Sequence, residues 1–122
     1  MEKYSEFRDE FLKELSNKYQ NCKFSFKLVN ISVDVSVFFV LSKSSILENN
    51  NLWQQISEEI ALKYQPKLET VYEKWNLYII FITSDVTPKE LKNLIENDKF
   101  SSRKIVEDPY EIEFNDVEAN RL

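Results

Sequence analysis

Apolar residues near the start of the chain recur at helical spacing and then switch to alternation. Between residues 4 and 20 they return every three or four positions with charged residues between them, which is typical of one buried helix face. From Phe24 to Leu28, and again from Ile31 to Val37, every second residue is apolar, which predicts two strands. Asn30 tolerates the left-handed conformation of a tight turn, so the pattern predicts an antiparallel hairpin with Asn30 in its turn.

A second helical pattern occupies the middle of the chain. Residues 42–51 form a polar connection that ends in three asparagines, and asparagine favours helix entry because it caps helices well. One apolar helix face then extends over residues 52–64. Pro66 is expected to kink or interrupt this helix. The apolar face resumes over residues 68–75, so we expect two consecutive helices or one bent helix.

The most apolar stretch, Leu77–Thr83, predicts a central strand that is buried on both faces. A helix start follows, with a hydroxyl cap at Thr87, Pro88 at the first helical position and Glu90 three residues after the cap. We expect this helix to run to about Glu96. The side chains that it should bury are Leu91, Leu94 and Ile95.

Alternation returns near the C-terminus, where Tyr110, Ile112 and Phe114 indicate a short last strand. The complete pattern predicts a single α+β domain over residues 1–122: an N-terminal helix, a β-hairpin, a helix pair, a central buried strand, a helix and a possible short C-terminal strand. A chain of 122 residues is long enough for one real core. Two interpretations stay open, a complete short protein or the N-terminal part of a longer chain.

Composition argues against most familiar enzyme sites. The sequence contains no glycine and no histidine. Without glycine it has neither a P-loop nor a dinucleotide fingerprint, and without histidine it has no Ser-His-Asp triad and no imidazole ligand for a metal. We therefore expect a binding or assembly role without a cofactor, and no catalysis. A lone cysteine, Cys22, the polar N-terminus and the lack of an apolar run near 20 residues favour a cytoplasmic protein with no membrane contact.

The net charge of −5 is concentrated in one segment. Residues 107–118 hold six acids and no base, and the rest of the chain is about neutral. A freestanding nucleic-acid binder usually has a clear basic face, and the sequence does not indicate one.

The run Asn97–Val106 is the strongest candidate for a functional loop, because it follows a predicted helix and combines an aromatic residue, hydroxyls and cations. Arg103 and Lys104 could contact a phosphate or a partner's carboxylate, and arginine offers a bidentate fork. The alternative is a solvated pair that balances the acidic segment. Phe100 is expected to insert into the core and fix the loop. The candidate partner- or phosphate-binding residues are Lys99, Phe100, Ser102, Arg103 and Lys104.

Other candidate sites have simpler interpretations. Trp53 and Trp75 lie at helical core positions, so core packing is a better account of them than an aromatic binding shelf. Asp34, Glu107 and Asp108 offer oxygen ligands for a divalent cation, and a metal-dependent hydrolase built on them is a third alternative. For the carboxylates around residue 108, a solvated acidic turn is the more ordinary interpretation.

Residues from about Leu52 to Asp108 resemble the middle components of bacterial ABC-three component systems. The resemblance lies in the aromatic-rich helix that begins at Leu52-Trp53, in Tyr72-Glu73-Lys74-Trp75-Asn76-Leu77-Tyr78-Ile79-Ile80-Phe81, and in Lys89-Glu90-Leu91-Lys92. Its most distinctive block is Ile95-Glu96-Asn97-Asp98-Lys99-Phe100-Ser101-Ser102-Arg103-Lys104-Ile105-Val106. It covers roughly half of the chain.

This resemblance implies a non-catalytic adaptor subunit that partners an SMC- or ABC-type ATPase in operons similar to anti-phage defence systems. It places the family's Arg-Lys pair on Arg103 and Lys104 and leaves nucleic-acid contact to the assembled complex. The main alternative is a module that contacts nucleic acid directly. Its surface would consist of Lys89, Lys92, Lys99, Arg103 and Lys104.

Overall fold

The computed structural model describes residues 5–30 and 32–107. These residues form a mixed α+β fold with an N-terminal helix, a hairpin, a group of short helices, a central strand, a further helix and a last strand, so the predicted fold class is confirmed. In chain order the elements are α1 (Ser5–Lys18), β1 (Lys23–Asn30), β2 (Asp34–Ser42), α2 (Ser44–Glu48), a 3-10 turn (Asn49–Asn51), α3 (Leu52–Lys63), a 3-10 turn (Gln65–Lys67), α4 (Val71–Trp75), β3 (Leu77–Thr83), α5 (Lys89–Glu96) and β4 (Arg103–Glu107).

The N-terminal helix forms as its periodicity predicts. Phe11 and Leu15, four residues apart, are buried on its inner face. Glu6 lies in the first turn and Lys18 in the last, where each charge complements the helix dipole.

The hairpin is confirmed, but its turn lies later than predicted. Asn30 is the last residue of β1; it pairs with Asp34, and its Nδ2 donates to Asp34 Oδ1 at 2.6 Å. The prediction that Asn30 is a turn residue with positive φ was therefore wrong. The second strand begins at Asp34 and not at Ile31, which lies outside the described residues.

The polar connection after the hairpin contains a short helix, α2, that the sequence pattern did not predict. The asparagines at its end also act differently from the expectation. Asn50 and Asn51 adopt left-handed backbone conformations with φ of 54° and 53°, and the Asn51 side chain makes no capping bond to α3. Asparagine tolerates positive φ, and at these two positions this tolerance allows the kink in the backbone between α2 and α3.

Pro66 separates α3 from α4 within the 3-10 turn, so the alternative of two consecutive helices is confirmed. The predicted common apolar face is wrong for α4. Trp53 on α3 is 3% exposed, whereas Trp75 on α4 is 81% exposed. The core therefore ends before α4.

The sheet has the strand order β1-β2-β3-β4, with β1 antiparallel to β2 and β3 parallel to both of its neighbours. The prediction of a central strand buried on both faces is confirmed for β3. One sheet face packs against α1, α3 and α5 through residues that include Phe38, Ile79 and Phe81. The opposite face carries a second apolar cluster centred on Val37, Phe39, Ile80 and Ile82.

The last helix begins one residue later than predicted. Its N-cap residue is Pro88, and the Thr87 hydroxyl lies 2.8 Å from the buried Thr83 hydroxyl. Leu91 and Ile95 are buried as expected, but Leu94 is exposed, and that part of the prediction was wrong.

The final described strand, β4, occupies residues that the sequence pattern assigned to a loop. It spans Arg103–Glu107 and pairs in parallel with β3. The strand predicted around residues 110–114 lies outside the described residues.

Candidate functional site

A cleft of about 540 Å³ lies at the sheet edge where β3 and β4 begin. One wall is the end of α4 with Lys74 and Trp75, and the other is the α5–β4 loop, residues 97–102. Gln65 from the preceding 3-10 turn lies between them. The cleft contains most of the sequence-predicted site residues, namely Lys99, Ser102, Arg103 and Lys104.

Gln65 connects the two walls. Its Nε2 donates to the Lys74 carbonyl at 2.9 Å and to the Ser101 carbonyl at 3.1 Å, while its Oε1 accepts from the Ser101 hydroxyl at 2.7 Å. These bonds fix the loop against the end of α4. Ser101 has a left-handed φ of 68°, a conformation that usually favours glycine, and its bonds to Gln65 help to hold it there.

Lys104 points into the protein, whereas the sequence interpretations treated it as a surface cation. Its side chain is fully buried, and Nζ donates to the carbonyls of Phe100 at 2.9 Å and Ser102 at 3.1 Å. The Asp98 carboxylate lies 3.3 Å from the same nitrogen. Burial lowers the pKa of Lys104, and the Asp98 carboxylate opposes that shift. The ammonium therefore organises the loop from within, because it supplies donors to inward-facing carbonyls.

Arg103 and Lys104 lie on opposite sides of β4, because successive side chains of a strand alternate. Arg103 is exposed, and its guanidinium carbon lies 5.8 Å from the centre of the Tyr78 ring on β3. The two cations do not form the solvated pair considered above. Arg103 is the member available to a partner.

The remaining loop residues divide between surface and interior. Lys99 is exposed, and Phe100 is 57% exposed, so the expectation that Phe100 inserts into the core was wrong. The Phe100 backbone fixes the loop instead, since its N–H donates to Asp98 Oδ1 at 2.8 Å and its carbonyl accepts from Lys104. Ser102 is buried, and its hydroxyl has no hydrogen-bond partner among the described residues.

The exposed apolar face of α4 was missed by sequence reasoning. Val71, Tyr72 and Trp75 are each more than 60% exposed, and their spacing places them on neighbouring positions of one helix face. The available signal is the capping box: Thr70 accepts from the Glu73 N–H, and the Glu73 side chain accepts from the Thr70 N–H, both at 3.0 Å. Because a new helix starts at this point, the apolar face of α4 does not have to point in the same direction as the apolar face of α3.

Two of the carboxylates considered for a metal site, Asp34 and Glu107, lie far apart on the sheet. Glu107 lies at the end of β4 and pairs with Ile82, which pairs with Leu41 near the end of β2. Asp34 lies at the other end of β2, roughly 20 Å away at about 3.3 Å per residue. Asp108 lies outside the described residues. Within residues 5–30 and 32–107, no group of three or more acidic or cysteine side chains is arranged to hold a metal ion.

Residues 36–121 match the family model described as "ABC-three component (ABC-3C) system Middle Component 1". The chain belongs to this family. The match begins at residue 36, inside β2, and covers every later element through β4, so it includes the whole cleft. No curated protein and no solved structure matches the chain.

Membership makes this middle component one part of a system named for three components, and the predicted resemblance is confirmed. In the part of the chain that the structure describes, no helix is both long and apolar enough to cross a bilayer.

Proposed function

We propose that this middle component is a non-catalytic adaptor that binds the ATPase component of its system through the face of α4 and the adjoining cleft. The observation that carries the proposal is Trp75, which is 81% exposed at the rim of the cleft although it is the kind of side chain that cores normally bury. A component of a multi-part system needs at least one surface for another part, and this is the surface with the largest exposed aromatic group.

The residue types on this surface suit a protein interface. Tryptophan, tyrosine and arginine are enriched among the residues that dominate binding energy. Here Tyr72 and Trp75 lie on one helix face, and Arg103 lines the same cleft as Trp75. The capped α4 and the Gln65 bonds hold these groups in place before binding, which reduces the ordering cost of association.

The charge of the cleft indicates the partner's chemistry. Lys74, Lys99 and Arg103 line it together with Glu96 and Asp98, but Asp98 is already engaged by Lys104 and the Phe100 N–H. Glu96 likewise accepts from the Val106 N–H at 2.9 Å. The cations are therefore the groups left to meet an acidic partner surface that also supplies an apolar contact for Trp75.

A non-catalytic role is supported by the chemistry available in the cleft. The serines there have no histidine to activate them, since the sequence contains none. Lys104, which a catalytic role would need to be accessible, is held by backbone carbonyls. We place the subunit in the cytoplasm, where an ATPase partner has access to its nucleotide.

The decisive experiment measures binding of the purified protein to the purified ATPase component of the same system. We expect Trp75→Ala to weaken binding by about 30-fold, the effect of losing about 2 kcal/mol at an interface hot spot. Val86→Ala is the matched control, because Val86 is a similarly exposed apolar side chain in the β3–α5 connection, at the opposite sheet edge. The control should bind like the parent protein.

Equal affinity of the Trp75→Ala variant and the parent would overturn the proposed surface. Turnover of ATP or another substrate by the isolated subunit would overturn the non-catalytic role. Direct nucleic-acid contact is the competing outcome, and it would appear as binding of the isolated subunit to duplex or single strands that falls steeply with salt. The burial of Lys104 removes one cation from the surface that such binding would use.

A further inference from the structure

A second groove, of about 670 Å³, lies between the start of α3 and one side of α5. Its α5 wall consists of residues that recur every three or four positions and therefore share one helix face, namely Glu90, Asn93, Leu94 and Asn97. The groove meets the cleft described above at Asp98, which lines both. Among the described residues no other lines both, so the groove is a separate site.

The strongest indication of a ligand is the indole of Trp53, which forms part of this groove. Trp53 is 3% exposed, and its Nε1 is buried with no hydrogen-bond partner among the described residues. A buried tryptophan N–H usually has a partner, because it has given up its bond to water. Since Nε1 is covered, a ligand acceptor reaches it after a side-chain movement at the groove. Exposed side chains such as Leu94 change rotamer within nanoseconds.

Four carboxamide side chains line the same groove. Asn93 and Asn97 lie one turn apart on α5, Asn51 and Gln54 lie at the start of α3, and all four are exposed. The Asn51 side chain makes no capping bond, so it is not committed to its own helix. A carboxamide carries both donors and an acceptor, and so does the main chain of a peptide. The walls of the groove therefore match the alternating N–H and carbonyl groups of an extended peptide.

The charge and length of the groove narrow the choice of ligand. Glu90 and Asp98 line it, and none of the described residues that line it is a cation. Like charges disfavour phosphates and acidic peptides at such a surface. Residues 90–97 extend over about 10 Å at 1.5 Å per residue, which is the length of about three residues of extended chain. The exposed Leu94 adds an apolar contact at the centre of this length.

We propose that this groove binds an extended peptide segment of another component of the system, and that the residues of the segment in contact with the groove are neutral or basic. A main-chain carbonyl of the segment accepts from Trp53 Nε1, and neighbouring main-chain groups pair with the carboxamides of Gln54 and Asn93. Membership in a family named for three components supplies the other proteins. The cleft beside Trp75 selects an acidic surface, whereas this groove selects the opposite charge. With both sites the subunit holds two different partner segments at once.

Nitrogen-15 NMR of the full chain tests this site directly, because the sequence contains only two tryptophans. Each gives one indole N–H signal, and Trp75→Phe assigns both by removing its own. The probes are overlapping synthetic peptides of twelve residues that cover the other two components of the same system. Peptides without acidic residues at their centre should move the Trp53 signal downfield, as expected when its N–H gains an acceptor. The same shift should appear in Trp75→Phe, because the groove does not include Trp75.

Three results would overturn the proposal: no peptide moves the Trp53 signal, only peptides with acidic centres move it, or the shift is lost in Trp75→Phe. The outcome is independent of the proposed ATPase surface. Peptides that move only the Trp75 signal would support that surface and exclude this groove. Equal ATPase binding by Trp75→Ala and the parent would exclude that surface and leave the Trp53 result unchanged.

A pair of double variants measures the contribution of the carboxamides. Gln54→Ala combined with Asn93→Ala removes one carboxamide from each wall and should weaken binding of the best peptide about 10-fold, the effect of losing about two neutral hydrogen bonds. Asn17→Ala combined with Gln20→Ala is the matched control, because it removes two exposed carboxamides that do not line the groove. It should bind like the parent. Far-ultraviolet circular dichroism checks that both variants are folded, and equal affinities of the two would overturn the proposal.

Discussion

Helix α3 with its C-cap residue and helix α4 each present one tryptophan and one tyrosine, but the two pairs have opposite environments. Tyr64, at the end of α3, is fully buried, whereas Tyr72 on α4 is 69% exposed. Trp53 and Trp75 show the same contrast. The buried pair belongs to a helix of twelve residues and its C-cap, which pack into the cluster on the helix-covered sheet face. The exposed pair belongs to a helix of five residues. Aromatic side chains at helical spacing therefore indicate a common face but not what that face contacts.

The environment of Tyr64 explains why α3 is fixed. Its ring lies within 6.5 Å, centre to centre, of the rings of Phe7, Phe11, Phe26 and Phe38. Its hydroxyl also shares a hydrogen bond of 2.9 Å with the buried Ser36 hydroxyl. Helix α4 instead depends on its own capping box and on the bond from Gln65.

The largest expected difference in the free energy of unfolding is the one between Tyr64→Ala and Tyr72→Ala, each made separately. We expect Tyr64→Ala to lower the free energy of unfolding by about 3–5 kcal/mol, because it leaves a cavity among four aromatic rings. Tyr72→Ala should change it by less than about 0.5 kcal/mol, as is usual for an exposed site. Denaturant unfolding of both variants measures the difference. Similar losses of unfolding free energy in the two variants would contradict the view that Tyr64 is a core residue and Tyr72 a surface residue.

A smaller effect should follow from the loss of the α4 cap. Thr70→Ala removes the oxygen that accepts from the Glu73 N–H, and we expect it to cost about 1 kcal/mol. The loss should appear as faster hydrogen exchange in residues 71–75. Thr70→Ser keeps a hydroxyl acceptor and is the control. Exchange in α3 should stay unchanged, and a change there would show that the two helices are not independent.

Replacing Ser57 on α3 should raise the stability of the protein instead of lowering it. Its hydroxyl is buried and has no hydrogen-bond partner among the described residues. Ser57→Ala should therefore stabilise the protein by up to about 1 kcal/mol, since it removes an unsatisfied polar group and alanine has the best helix propensity. A higher melting temperature is the expected result. A lower one would mean that the hydroxyl has an important partner.

The smallest effect concerns the two ion pairs of Glu59, one with Lys18 that joins α3 to α1 and one with Lys63 on α3 itself. Burial alone would raise the pKa of Glu59, but hydrogen bonds from Lys18 at 2.9 Å and Lys63 at 2.8 Å lower it below its ordinary value of 4.5. The stability from these pairs is present above that value and is lost as the pH falls through the lowered pKa. We expect at most about 1 kcal/mol from such surface pairs.

Thermal unfolding as a function of pH tests this coupling. Glu59→Gln should be less stable than the parent at neutral pH and should lose less stability on acidification below pH 4.5. Glu58→Gln changes the neighbouring exposed carboxylate and should follow the parent curve. Parallel curves for Glu59→Gln and the parent would show that the pairs contribute nothing to the position of α3.

The elements that the sequence predicted best are those whose pattern of apolar residues clearly favours one type of secondary structure. The nearly continuous apolar residues over Leu77–Thr83, several of them β-branched, favour a strand covered on both faces, and β3 is such a strand. The apolar face of α1 was predictable for the same reason. By contrast, the loop assignment of Arg103–Glu107 failed because a short strand with charged ends has weak alternation, and its pairing with β3 determines its structure.

The sequence predicted the location of the candidate site but not which of its side chains are buried and which are exposed. The sequence indicated residues 97–106, and most of the residues singled out there line the cleft. It could not show that Lys104 is buried, because a lysine next to an arginine ordinarily indicates a solvated surface. Nor could it show that Trp75 faces outward, since the same spacing fits a core position. The partners of Lys104 lie only two to six residues away, at Asp98, Phe100 and Ser102, but their arrangement depends on how the loop folds and cannot be read from a periodic pattern.

The parallel pairing of β2 with β3 has a consequence for how the protein folds during synthesis. The ladder joins Ser36 to Leu77, so the middle of the sheet cannot close until the ribosome has released all the intervening helices. The hairpin needs only local contacts and can form early. We expect the edge of β2 to stay unpaired on that side from the release of Ser42 until the release of Thr83, a stage at which a chaperone or the cognate subunit would have the most to protect.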